Sequence, residues 1–283
     1  MQKIIACIDG SAMAQSVCDA AIWASRKLEK TVLFLHTIEK EQQHGADDLS
    51  GAIGLGASAA LLEEMAALDQ KRAELALQLG KNMLSAAAER AGEYGVSAVE
   101  QKQRHGDLLE SLTDLEEEAR LVVLGRSGEG HQGSFSALGS HVEQLIRQLH
   151  TPLLIVPKHF STPKNFMLAY DGRDTADKAV QRIIRSDLLK GLPCHLVTVR
   201  NKVDDQMGRF ERTKALLESE GFEVTARYLE GDIYDSLLGY KQQHDIDLML
   251  IGAFAHSKIR QFFLGSNTLR MIESATKPMI VLR

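Results

Sequence analysis

Along the chain, short continuous apolar runs alternate with stretches whose apolar residues recur every three or four positions. The first run, Lys3 to Ile8, closes on Asp9-Gly10, and a second of the same kind, Asn165 to Tyr170, closes on Asp171-Gly172. Unbroken apolar character over a few residues predicts a strand covered on both faces, as in a parallel sheet. After each run a helical stripe follows, Val17, Ala20, Ala21, Ala24 and Leu28 in one case, Ala179, Val180, Ile183 and Ile184 in the other. Ser11 and Thr175 are placed to cap those helices. Second strands are expected over Thr31–Ile38 and Cys194–Arg200, third strands over Val96–Lys102 and Glu223–Leu229. Fourth strands are expected over Leu121–Leu124 and Leu248–Ile251, and fifth strands over Leu153–Val156 and Met279–Leu282.

The two series are one series written twice. His105-Gly106-Asp107 answers Glu230-Gly231-Asp232 after the third strand, and Gly125 answers Gly252 after the fourth. Gly139-Ser140 and Gly265-Ser266 each stand the same distance before a proline, Pro152 and Pro278, that opens the last strand. Agreement at separated landmarks predicts a duplicated unit, residues 1–157 and 164–283, joined by the polar seam Lys158–Lys164. Strands alternating with helices, without hairpin turns, predict an α/β fold in which each unit is an open parallel five-stranded sheet flanked by helices. The copies differ after strand two: only the first carries a Gly/Ala-rich stretch, Gly45 to Ala60, and then a long helical pattern through Leu61, Met65, Leu68, Leu75, Leu79 and Met83. A flap over the first cleft and an inert surface insertion are both compatible with that segment.

Composition narrows the function classes. With 44% apolar and 25% charged residues and a formal charge of −5, the 283-residue chain reads as an ordinary globular protein without the basic character of a nucleic-acid binder. No run reaches the roughly 18 apolar residues of a membrane span, no secretory signal is evident, and the three cysteines Cys7, Cys18 and Cys194 form neither a CxxC pair nor a zinc spacing. A cytoplasmic protein is expected.

In an open parallel sheet the ligand site lies beyond the carboxyl ends of the strands. Asp9, Thr37, Gly106 and Gly125 stand near those ends in the first unit, and Asp171, Val199, Gly231 and Gly252 in the second. The loops after the fourth strands run from Gly125 through Gly128 to Gly139-Ser140, and from Gly252 through Ala255 to Gly265-Ser266. A glycine after a strand lets the backbone approach a ligand, and a helix start offers unpaired N–H groups to a phosphate. Turn-and-cap duty explains the same residues equally well. The first loop is not a P-loop, since lysine is missing from the phosphate position, nor a dinucleotide fingerprint, which belongs after the first strand, where the turn is DGSAMAQ. His36 and His105, at the ends of strands two and three, are candidate cleft residues, while Arg126, Lys258 and Arg260 are loop cations. No serine nucleophile elbow stands out.

The Asp-ended first strand, the glycine loop and the Gly-Ser helix start together resemble a tandem universal stress protein, over essentially the whole chain. That resemblance implies the strand order 3-2-1-4-5 and the adenine-nucleotide-hydrolase-like, Rossmann-like fold. It implies a stress-response module that binds ATP or AMP, with or without Mg, and lacks strong catalysis. Its ligands would be Asp9, Thr37, Gly125, Gly128, Gly139 and Ser140 in the first unit, and Asp171, Val199, Gly252, Gly265 and Ser266 in the second. The first loop departs from the family spacing by one extra residue, and Ala255 replaces a glycine in the second. A scaffold that binds a protein partner and no nucleotide is one alternative; a weak ATPase or small-metabolite hydrolase is another. Fifth strands that meet across a two-fold axis in single-unit relatives would pair antiparallel within this chain, Leu154 against Ile280, as an intramolecular pseudo-dimer. A homodimer of such chains would then use another surface, such as the segment from Leu61 to Met83.

Overall fold

The computed structural model describes residues 2–39, 57–126, 140–252 and 266–282. In the first half the order is β1 (Lys3–Cys7), α1 (Ala14–Leu28), β2 (Val32–Ile38), α2 (Ala57–Glu93), β3 (Val99–His105), α3 (Leu108–Leu115), β4 (Ala119–Gly125), α4 (Ser140–Gln148) and β5 (Leu153–Val156). The second half runs β6 (Phe166–Ala169), α5 (Asp174–Ile184), β7 (Cys194–Val199), α6 (Gln206–Ser219), β8 (Val224–Leu229), α7 (Ile233–Gln243), β9 (Leu248–Gly252), α8 (Ser266–Glu273) and β10 (Met279–Leu282). All ten expected strands form. Residues 40–56, which hold most of the Gly/Ala-rich stretch, lie outside the described residues.

The strands make one ten-stranded sheet, ordered β3-β2-β1-β4-β5-β10-β9-β6-β7-β8. Each half thus has the order 3-2-1-4-5, and the two five-stranded sheets anticipated from the sequence are the halves of a larger one. Pairing is parallel within each half and antiparallel at the junction, where Leu154 stands opposite Ile280 and Met279 opposite Ile155. Strands with two apolar faces need helices on both sides, and alternate residues feed two cores. Ile4, Ala6, Phe34, Val123, Leu154, Leu168, Leu250 and Ile280 belong to one. Ile5, Leu33, Leu35, Val122, Leu153, Met167, Met249 and Met279 belong to the other. Each core runs without interruption through both halves.

Three local expectations are corrected. β3 begins at Val99 rather than Val96, because Gly95 (φ +80°) ends α2. Its N–H donates to the Gly92 carbonyl and that of Val96 to Ala91, so Val96 is spent closing the helix. The turn recurs at Gly221 (φ +85°), where Phe222 N–H donates to Leu217. Ser11 does not cap α1 directly; its Oγ accepts the Met13 N–H, one residue before the helix. Thr175 lies inside α5, whose first residue is Asp174.

Candidate functional site

The carboxyl ends of β1 and β2 form the floor of the first candidate cleft. Successive residues of β2 face opposite neighbours. Val32, on the β3 side, donates to Ala98, and Leu35, on the β1 side, accepts from Ile8 at 2.8 Å. Two residues further, Thr37 also faces the β1 side, but β1 has ended at Cys7. Among the described residues no partner is present for the Thr37 backbone there, so its N–H and C=O look past the end of β1. Beside it Asp9 is half-buried, and among the described residues its Oδ1 accepts only the Ser11 N–H at 3.1 Å. A carboxylate has about four acceptor positions, so the described residues leave most of its capacity unused. His36, expected to line the cleft, instead places Nδ1 2.8 Å from the Ile8 carbonyl and closes the end of β1. His105 is exposed at the end of β3.

The second half repeats the frame and fills it. Tyr170 N–H donates to Val197 and Thr198 Oγ1 to the Tyr170 carbonyl at 2.6 Å, so Thr198 does what His36 does. Val199 therefore corresponds to Thr37. Its carbonyl is taken by Gln206 Nε2 at 3.0 Å, and Gln206 is only 4% exposed. The Gln206 Oε1 accepts from the Asn201 N–H at 3.0 Å and from the Tyr228 hydroxyl at 2.9 Å. Asn201 Nδ2 holds the Asp171 carbonyl at 2.8 Å. The Asp171 carboxylate accepts the Arg173 N–H and is paired with the Arg173 guanidinium at 2.6 Å. Gly172 (φ +80°) packs against Gln206, whose Cγ would be 3.1 Å from an added Cβ.

Loop length explains the difference. Only six residues separate β7 from α6, so the first turn of α6 folds back over the end of β7. In the first half eighteen residues separate β2 from α2, and α2 reaches the sheet only with its C-terminal half. There Gly80 is buried so closely that a Cβ would lie 2.1 Å from Gln103 Nε2 and 2.5 Å from His36 Cδ2.

After the fourth strands the helices start where the proline spacing implies, α4 at Ser140 and α8 at Ser266. Gly125 and Gly252 end β4 and β9, both half-buried. Gly128, Gly139 and Gly265, with Ala255, Lys258 and Arg260, lie outside the described residues. Arg126 does not meet solvent as a simple loop cation: its Nη1 donates to the Glu273 carbonyl at the end of α8, and its Nε is buried without a partner. Gly106 and Gly231 have φ of +112° and +116°, and the aspartates that follow cap helices, Asp107 accepting from Glu110 N–H and Asp232 from Asp235 N–H. This landmark is therefore a turn and a cap in both halves. The Gln206–Asn201–Tyr228 network escaped sequence reasoning because a glutamine in a helix's first turn carries no pattern. The short loop before it was the available signal.

Comparison with known proteins agrees with the duplicated architecture. The model of the universal stress protein family matches residues 1–157 and again 163–283. A universal stress protein of Synechocystis is 32% identical over the full length of both chains. One from Methanocaldococcus jannaschii is 23% identical over 86 residues, 30% of this chain and 53% of its own. The crystal structure of a universal stress protein from Archaeoglobus fulgidus shares the fold at a TM-score of 0.72, covering 99% of this chain and 96% of the other, with 16% identity.

Proposed function

The chain belongs to the universal stress protein family, and from that premise we propose that it is a stress-response module that binds one adenine nucleotide, ATP or AMP, in the cleft of its first half. The observation that carries this reading is the contrast at the end of the second strand in each half. Adenine presents an amino donor beside a ring acceptor on one edge. A backbone C=O and N–H left unpaired side by side, as at Thr37, complement that edge. Asp9 would accept from a further amino or hydroxyl group of the nucleoside. Gly125, Gly128, Gly139 and Ser140 would then serve the phosphates, the glycines by close backbone approach and Ser140 at a helix start.

The second half lacks the vacancy. For adenine to reach the Val199 carbonyl, Gln206 would have to leave three hydrogen bonds inside the protein. Stranding buried polar groups costs about 1–3 kcal/mol each, which works against binding before any nucleotide contact is made. The second half therefore acts as a structural partner, and Asp171, Val199, Gly252, Gly265 and Ser266 keep the frame of a site without its use. Slow or absent turnover goes with the reading. The paired edge strands support an intramolecular pseudo-dimer as the working unit.

The test is a mass analysis of small molecules released on denaturing gently purified protein. About one ATP or AMP per chain is the expected result. Protein that carries no nucleotide and shows no calorimetric heat with either would contradict it.

A further inference from the structure

The helix α2 is too long for the surface that it covers. Burial begins only at Ala76, and every residue from 63 to 75 is exposed, as is Leu61. From Leu61 to Ala76, over about 22 Å at 1.5 Å per residue, the helix therefore stands clear of the sheet. Most of the stability of a protein helix comes from packing an apolar face against a partner. This one also exposes large apolar side chains: Leu61 is 40% exposed, Met65 37%, Leu68 53%, Leu75 62% and Leu79 55%. Their spacing, with Arg72, is four, three, four, three, four, the alternation of a two-stranded coiled-coil seam.

We propose that this projecting segment is the dimerisation arm of the protein, pairing antiparallel with the same segment of a second copy. Charge decides the direction. On the flanks of the seam stand Glu64 and Lys71 on one side and Asp69 on the other. Parallel pairing would set Glu64 against the second copy's Asp69 and stack Arg72 on Arg72. It would also bring both protein bodies to the same end. Antiparallel pairing about a two-fold axis sets Glu64 against Lys71 of the second copy, twice, with Met65 packing on Leu68. Arg72 then lies opposite Leu61, its stem along apolar surface and its guanidinium in water. In this register Ala57, the first residue of α2, faces Ala76, where the helix meets the sheet, so the tip of each arm ends at the base of the other. The whole projecting length is used. The face is distant from the β5–β10 junction, which occupies the inner edge strands, so fusion of the halves leaves this second association free.

Sedimentation equilibrium of the full-length chain over about 1–100 μM should show a reversible dimer. Leu68→Glu places a charge in the middle of the seam and should leave the chain monomeric over that range, with unchanged fluorescence of the buried Trp23 because Leu68 touches no core residue. Charge reversal reads the direction. Glu64→Lys alone and Lys71→Glu alone should each weaken the dimer about three- to tenfold, and the double reversal should restore it. A wild-type chain that stays monomeric, a dimer that survives Leu68→Glu, or one that Glu64→Lys strengthens, as parallel pairing requires, would overturn the proposal. So would failure of the double reversal to restore the dimer.

Discussion

Gln206 carries the difference between the two clefts, and its energetics can be read directly. Replaced by alanine, it strands the buried Val199 carbonyl and the half-buried Tyr228 hydroxyl. We expect a loss of about 3 kcal/mol in urea unfolding; a loss under about 1 kcal/mol would mean that water replaces the side chain freely. His195 gives a pH signature. Burial, then the neighbouring His244 and Arg227, lower its pKa below the usual histidine value, while its Nδ1 sits 2.9 Å from the Tyr240 hydroxyl. Below the unfolded value of 6.5, the unfolded chain takes up this proton before the folded one does, so stability falls as pH drops through that window. Melting temperatures at pH 7.5 and 5.5 should fall less in His195→Gln than in the wild type; an equal fall would assign the acid sensitivity to other groups. At this scale the sequence was an uneven guide. Asp9 and Asp171 were legible as strand ends, yet their identical letters hide one open carboxylate and one paired with Arg173. His36 looked like a cleft residue and proves to cap a strand, since direction along β2, not distance from the strand end, decides where a side chain goes.

Strands were legible as elements because each is short, apolar on both faces and bounded by polar turns. Helix ends were less so. The start of β3 was misplaced by three residues because a helix-closing valine and a strand valine look alike until the glycine between them and the helix takes a positive φ. The Gly-Asp pairs after the third strands stood out as landmarks of duplication, but a ligand role and a structural one predict the same letters there. Their geometry supplies a direct check: Asp107→Ala and Asp232→Ala should each cost about 1 kcal/mol through loss of a helix N-cap. Urea denaturation midpoints unchanged in both variants would show that water caps these helices equally well.

At the level of the molecule, antiparallel pairing of β5 with β10 turns a tandem repeat into one sheet with two continuous cores. Fluorescence of Trp23, the only tryptophan, reports on the first half, and far-UV circular dichroism reports on the whole. The two should trace the same unfolding curve, and Ile280→Asp, at the junction, should shift both together; separated transitions would mean that the halves melt independently. The duplication was fully legible in sequence. The structural difference between the two clefts was not, because that arises from how many residues connect β2 to α2 and β7 to α6 and from what the shorter connection brings over the sheet. The central claim is that one cleft binds and its duplicate does not. Isothermal titration of nucleotide-free protein with ATP measures it most directly, comparing wild type, Asp9→Ala and Asp171→Ala. The account predicts about one ATP per chain for wild type and for Asp171→Ala, and no measurable binding for Asp9→Ala. Two ATP per chain, or binding abolished by Asp171→Ala and spared by Asp9→Ala, would contradict it.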